Sequence, residues 1–169
     1  MIFREEKPED MVAIRKLNDL AFDGTGEGEL VDKLRQRKAI ALSMVAEDQG
    51  KILGHILFTT VTIRNDEQNF TALGIGPMAV LPQYQRKQIG SKLMEAALQK
   101  CRELEHEIVV VLGHPEFYPR FGFVPGRTFG ISCEFEVPDE AFMVLELKEG
   151  ALKNINGIAK YQPEFNELV

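Results

Sequence analysis

Long apolar runs are missing from this sequence. Nowhere does an uncharged stretch approach the roughly 20 residues that crossing a bilayer requires, and the N-terminus, MIFREEKPED, puts charges where a signal peptide needs an apolar core. A cytoplasmic chain with no membrane partner is the simplest expectation. A basic surplus is missing too. Twenty Lys and Arg face 26 Asp and Glu, a net charge of −6, whereas nonspecific nucleic-acid binding rests on neutralising phosphates with excess cations. Any anion must therefore be held locally. The two cysteines, Cys101 and Cys133, show neither CxxC nor Cys/His spacing, so no metal is expected and both read as buried or half-buried thiols. GxxxxGK[ST] and the dinucleotide glycine fingerprint are absent as well, which disfavours a nucleoside triphosphatase or a nucleotide-binding regulator.

What is present describes an ordinary globular protein. The chain has 169 residues, 44% hydrophobic and 27% charged, enough to bury a substantial core. No repeat, low-complexity tract or linker divides it. One domain over residues 1–169 is expected, with 149–169 packed on it as a C-terminal extension.

Pro8 opens a helical pattern in which Met11, Ile14, Leu17 and Ala21 share one face. Gly24, Gly26 and Gly28 in FDGTGEGE should break it, with a second short helix over Leu30 to Arg35. AIALSMVAE, the turn DQGK and ILGHILFTTVTI have the length and turn chemistry of an antiparallel hairpin. Phe70 to Val80 continues as strand. Gly76 and Pro77 predict a bulge or splayed edge there, because proline has no N–H to give a ladder. After Pro82 the pattern is helical, with Ile89, Leu93, Ala97, Cys101 and Leu104 on one stripe and Met94 and Leu98 beside it. EIVVVLG lacks polar alternation and reads as a strand buried on both faces. HPEFYPRF is a short helix or turn, and further strands are expected around Gly130 to Glu136 and Ala141 to Leu147. The fold class is mixed α/β (α+β): a mostly antiparallel twisted sheet flanked by helices. Its splayed fourth and fifth strands, joined by a helical crossover, run parallel.

At the junction VLPQYQRKQIGSKL, Gln85 to Ser91 present successive N–H groups at a helix start, where four donors lack intrahelical partners and the dipole favours an anion. A diphosphate fits such a seat. Gly90 removes a side chain where a phosphate would approach, while Arg86 and Lys87 add charge. A solvated helix start that carries basic residues is the plain alternative.

VLPQYQRKQIGSKLM resembles the acyl-CoA-binding motif of the GNAT superfamily of N-acetyltransferases, Q/R-x-x-G-x-G/A after a Val-x-Pro strand end. Gln85, Gly90 and VLP match, and Gln88 stands where the family usually has its first glycine. GHPEFYPRFGFVP, Gly113 to Pro125, is similar to the Tyr-x-x-x-Gly-Phe segment that follows strand five in many GNAT enzymes. With the order of elements and the closing AFMVLELKEGAL and YQPEF, the chain resembles a bacterial GNAT subgroup over essentially its whole length.

The resemblance implies the GNAT fold and an acetyl-CoA-dependent N-acetyltransferase. A primary amine of a small molecule or peptide would attack the thioester directly, through a tetrahedral intermediate. Pantetheine would lie along Met78, Ala79 and Val80, in the slot that the bulge opens, and a strand-four N–H could stabilise the oxyanion. The diphosphate would sit on Gln85, Arg86, Lys87, Gln88, Ile89, Gly90 and Ser91. Tyr118 matches the family position that protonates the departing thiolate; a core aromatic role, as for Phe117, Phe121 and Phe123, is its alternative.

An alkyl ammonium with a pKa near ~10.4 needs a proton acceptor before it can attack. Strand four, NFTALGIGPMAV, has no carboxylate, so the base found there in some relatives has no counterpart. Glu27, Glu29, His114 and ordered water remain open. His55 is expected to pack within the sheet, His106 to lie at the surface, and His114 to serve a turn. By resemblance the acceptor lies between two acidic loops, one with Asp23, Glu27 and Glu29, the other with Glu134, Glu136, Asp139 and Glu140. That favours a cationic amine by charge complementarity, with Glu27 and Glu29 as substrate-binding residues, against the alternative of solvated loops. Cys101, on a buried stripe, is a poor nucleophile. A non-catalytic acyl-CoA-binding or sensing protein of the same fold is the rival reading, and monomer and homodimer both stay open.

Overall fold

The computed structural model describes residues 1–168. Among these, nine strands form one sheet: β1 (Ile2–Glu5), β2 (Ile40–Asp48), β3 (Lys51–Arg64), β4 (Asn69–Val80), β5 (Ile108–Leu112), β6 (Val124–Pro125), β7 (Ile131–Cys133), β8 (Phe142–Glu146) and β9 (Gly157–Lys160). Three helices, α1 (Met11–Ala21), α2 (Gly26–Gln36) and α3 (Ile89–Glu103), cover its faces. The main path runs β1-β2-β3-β4-β5-β8-β6. β4 and β5 are parallel, as their α3 crossover requires, and the other neighbours on this path are antiparallel. β9 pairs antiparallel with the far end of β3, and β7 runs parallel to β9.

Side chains alternate between the two faces, as the strand period dictates. Met44, Ile56, Phe58, Leu73 and Ile75 pack under Leu93, Met94, Ala97, Leu98 and Cys101 of α3. Val45, Leu53 and Leu57 turn the other way, onto Ile14 and Leu17 of α1 and Leu30, Val31 and Leu34 of α2. β5 needs apolar residues in both directions: Val109 and Val111 join the α3 side, whereas Ile108 and Val110 meet Val144, Ile131 and Tyr161. Hence its unalternating valines. The β2–β3 turn closes on Gln49 and Gly50, both left-handed (φ 50° and 80°), the conformation a two-residue hairpin demands.

Several expectations need correction. Gly26 and Gly28 do not break the chain; they lie in the first turn of α2, which begins four residues earlier than Leu30. A Cβ on Gly28 would run into Arg15 and Asp19 of α1, so this glycine permits close packing of two helices. Pro8 opens a 3₁₀ turn, Pro8–Asp10, that leads into α1. Met11 and Leu104 are 41% and 46% exposed, off the buried stripes assigned to them. The strand expected over Gly130 to Glu136 shrinks to β7, and β6 and β9 were not anticipated.

His55, fully buried in β3, packs within the sheet as expected. Its Nδ1 lies 3.2 Å from the Asn18 side-chain nitrogen and its Nε2 3.0 Å from Ser43 Oγ. An amide nitrogen only donates, so Nδ1 accepts and the proton sits on Nε2, donating to Ser43. Burial, with the charge of Arg35 adding to it, pushes the imidazole from 6.5 down to about 3. Below pH 6.5 the unfolded chain therefore binds a proton that the folded chain refuses until about pH 3. Stability is full above the upper value and falls, at up to about 1.4 kcal/mol per pH unit, beneath it. Denaturant titrations from about pH 7 to 5, above most carboxylate pKa values, should show this decline. A His55→Gln variant should lack it. A flat wild-type profile would contradict the assignment.

Candidate functional site

The site begins at the bulge. Ile56 pairs with Met78 and Phe58 with Ile75, so Gly76 and Pro77 together stand opposite Leu57. β4 pairs with β5 at Leu73, Gly74 and Ile75, and among the described residues no pair follows. Beyond the bulge β4 stays on β3, through Met78, Ala79 and Val80. The edge facing β5 is thereby opened, as Gly76 and Pro77 predicted.

At the end of that edge the chain passes through a 3₁₀ turn, Pro82–Tyr84, into α3. Gln85 fastens the turn: its Nε2 donates to the Val80 carbonyl at 3.0 Å and its N–H to Pro82. Arg86 and Gln88 are both left-handed, with φ of 63° and 66°. The first α-helical bond runs from the Lys92 N–H to the Gln88 carbonyl. Among the described residues no carbonyl partner is found for the N–H groups of Arg86 to Ser91. Of these residues Arg86, Gln88, Gly90 and Ser91 line a cavity of about 430 Å³, together with Val80, Tyr84 and Gln85 and with Phe117 and Arg120. Turns of this kind, followed by a helix N-terminus, make a concave anion seat.

Gly90 tests whether a ligand, rather than the fold, requires the space. A Cβ there would lie 3.5 Å from Met78 Cε and 3.7 Å from Val80 Cγ2, ordinary contacts, so the protein itself does not demand glycine. The place left empty lies beside Met78 and Val80, on the stretch of β4 beyond its pairing with β5. Ile89 is buried with the α1–α2 face of the core and offers the seat only its amide. Lys87 does not line the cavity; its ammonium stands 5.6 Å from the Tyr84 ring centre.

A second cavity, about 300 Å³, continues along β4 from Met78. Gly76, Pro77, Gly113, His114 and Tyr118 line it, with Glu27 from α2. Among the described residues the two cavities share no lining residue, but Met78 of one stands two residues before Val80 of the other, and Tyr118 of one follows Phe117 of the other, so they lie next to each other along β4. Tyr118 is seated edge-on between Phe117 and Phe123, and a Cβ on Gly113 would collide with its ring. Burial pushes its phenol up to about 12.

The acidic loops come apart. Glu27 lines the cavity, whereas Glu29 is exposed and turned toward Arg15 at 4.0 Å. Glu134 accepts from the Tyr161 N–H and lies 3.8 Å from Lys160, while Glu136 and Asp139 line a separate cavity beside Arg127. His106 sits among Arg102, Glu105 and Lys148, away from the groove. Cys101 is fully buried and its thiol is pushed up to about 12, which leaves no thiolate to act as a nucleophile.

A model of the acetyltransferase (GNAT) domain matches residues 3–126. The chain belongs to the GNAT family. Among curated GNAT relatives, the uncharacterized N-acetyltransferase YhbS of Escherichia coli K12 is 30% identical over 169 residues, 99% of this chain and 100% of its own. The crystal structure of E. coli YhbS in complex with CoA gives a TM-score of 0.92 at 30% identity, over 98% of this chain and 91% of that one. A GNAT acetyltransferase from Brucella melitensis, in complex with acetyl-CoA, gives 0.80 at 33% identity over 97% of each chain.

Within this GNAT fold, two groups in the groove had escaped the sequence. Arg120 lines the amide seat, its guanidinium 4.8 Å from the Phe117 ring centre; its place inside the Tyr-x-x-x-Gly-Phe segment was the available signal. Tyr161 and Phe165 reach the second cavity from the chain's end, where no local pattern marks them.

Proposed function

We propose that this GNAT chain is an acetyl-CoA-dependent N-acetyltransferase that acetylates a primary amine by direct attack, without a covalent enzyme intermediate. The carrying observation is the alignment of unpartnered amides at the α3 N-terminus, the stretch of β4 beyond its pairing with β5, and two neighbouring cavities, one at the amides and one at Tyr118. Bound there, acetyl-CoA supplies a thioester carbonyl as the acyl donor. The amides of Arg86 to Ser91 hold its diphosphate, and Arg86 and Arg120 add charge above them. Gln85 serves mainly by clamping the turn to Val80. The backbone of Met78, Ala79 and Val80 binds pantetheine as a strand would be bound.

Tyr118 acts on the leaving side. With its pKa near 12 it keeps its proton throughout the neutral range, so it is always available as a hydrogen-bond donor to the developing thiolate. The dry surroundings that raise the phenol raise the thiolate's basicity as well, which narrows the gap for proton transfer. Glu27 and His114 face the same cavity and are the side chains placed to relay the amine's proton. Residues 1–169 act as one domain, and we place the reaction in the cytoplasm, where acetyl-CoA is found and free thiols such as Cys101 persist.

Gln88 stands at the place of the family's glycine with a backbone that glycine adopts freely. Gln88→Gly should keep acetyl-CoA affinity within about threefold, because the amides and not the side chain hold the phosphates. Gln88→Val, with a β-branched residue that resists this conformation at a cost of about 1–2 kcal/mol, should weaken it about tenfold or more. Equal binding by both, measured by calorimetry, contradicts the backbone seat. The acetyltransferase reading itself is tested by thiol release from acetyl-CoA over a panel of amines. Amine-dependent release supports it; tight binding without release under any acceptor favours the sensor alternative.

A further inference from the structure

The acceptor side of the groove is apolar. Beyond Tyr118 the walls are Phe22 and Leu30 from α1–α2, Phe135 from the segment after β7, and Tyr161, Phe165 and Leu168 from the chain's end. Tyr161 contacts Phe135 and Phe165 with ring centres 5.7 and 5.3 Å apart, so the aromatic wall is continuous. Within it the phenol oxygen of Tyr161 is buried and has no hydrogen-bond partner among the described residues. The end of the chain is fastened as a wall: Arg37, which caps α2, pairs with Glu164 at 2.6 Å, and Lys33 of α2 with Glu167 at 2.5 Å, both partners lying on the 3₁₀ turn Pro163–Glu167. Leu168 then lies against Gly26, where an added Cβ would come within 3.0 Å of it.

Charge is scarce inside. Glu27 is the one carboxylate among the described lining residues; Glu29 and Glu134 lie near Arg15 and Lys160, and Glu136 and Asp139 line a different cavity. About 300 Å³ is at the small end of ligand pockets. A polycation would find no second carboxylate among the described lining residues to pair with another ammonium. An extended peptide would meet the clamped chain end.

Resting on the acetyl-transfer reading above, we propose that the acceptor is a small primary monoamine on an apolar aryl or alkyl body. Its ammonium pairs with Glu27 beside Tyr118 and its body fills the aromatic cavity. This narrows the cationic acceptor that the acidic sequence suggested: one positive charge is matched, not several.

Steady-state kcat/KM at saturating acetyl-CoA, for 2-phenylethylamine, n-hexylamine, spermidine, kanamycin and a glycine-initiated tripeptide, tests the proposal. The two apolar amines should exceed the other three by at least tenfold. Glu27→Gln should raise KM for 2-phenylethylamine about tenfold with a smaller change in kcat, and Phe165→Leu, which keeps an apolar wall, should alter the ratio between the aryl and alkyl amines. Preference for spermidine, kanamycin or the tripeptide overturns the acceptor class while leaving acetyl transfer standing. Acetyl-CoA binding with no turnover of any acceptor overturns both.

Discussion

Tyr118→Phe should lower kcat by about 100-fold or more while the Kd for acetyl-CoA changes less than about threefold. Loss of a single positioned donor or acid in a water-poor site typically costs that much. Phenylalanine keeps the ring between Phe117 and Phe123, so packing is preserved and only the hydroxyl goes. A second variant reaches the same group without touching it. Gly113→Ala places a methyl into the Tyr118 ring and should shift the phenol, lowering kcat in the same direction. Full turnover in Tyr118→Phe would return this residue to the core, where its neighbours Phe117, Phe121 and Phe123 gather around it.

Gly90→Ala should move stability and binding in opposite directions. In the first turn of α3 the substitution removes the backbone freedom of glycine, and the new Cβ meets only ordinary contacts at Met78 and Val80, so the fold should gain about 0.5–1 kcal/mol. The same methyl stands beside Met78 and Val80, in the path proposed above for the cofactor. Inserting a methyl into a fitted contact costs about 1–3 kcal/mol, and acetyl-CoA affinity should fall about tenfold or more. Thermal denaturation and calorimetry on one preparation read both signs. A variant that binds as tightly as wild type removes Gly90 from the groove.

Much of this could be read from the chain because the signals are local. The α3 stripe, the β5 valines, the Asp48–Lys51 turn and the Gly76–Pro77 bulge each follow from chemistry within a few residues. The failures are long-range. Gly28 looked like a helix breaker because its reason, the side chains of Arg15 and Asp19, lies on another helix. β9 has little pattern of its own and exists through pairing with Thr62–Arg64 and with β7. The acidic loops announced charge but not its neutralisation: Glu29 turns to Arg15 and Asp139 to Arg127, partners that only folding supplies. The amide seat was legible as a motif, whereas the apolar wall of the second cavity, drawn from Phe22, α2, the stretch after β7 and the chain's end, was not.

The most direct measurement is a titration of ¹⁵N-labelled protein with coenzyme A, followed by backbone amide resonances. The N–H signals of Arg86 to Ser91 should move together and saturate with a single Kd, with Met78, Ala79 and Val80 following on the same curve. Saturable shifts confined to the cavity beside Arg127, or no response from Arg86 to Ser91, would contradict the account at its foundation.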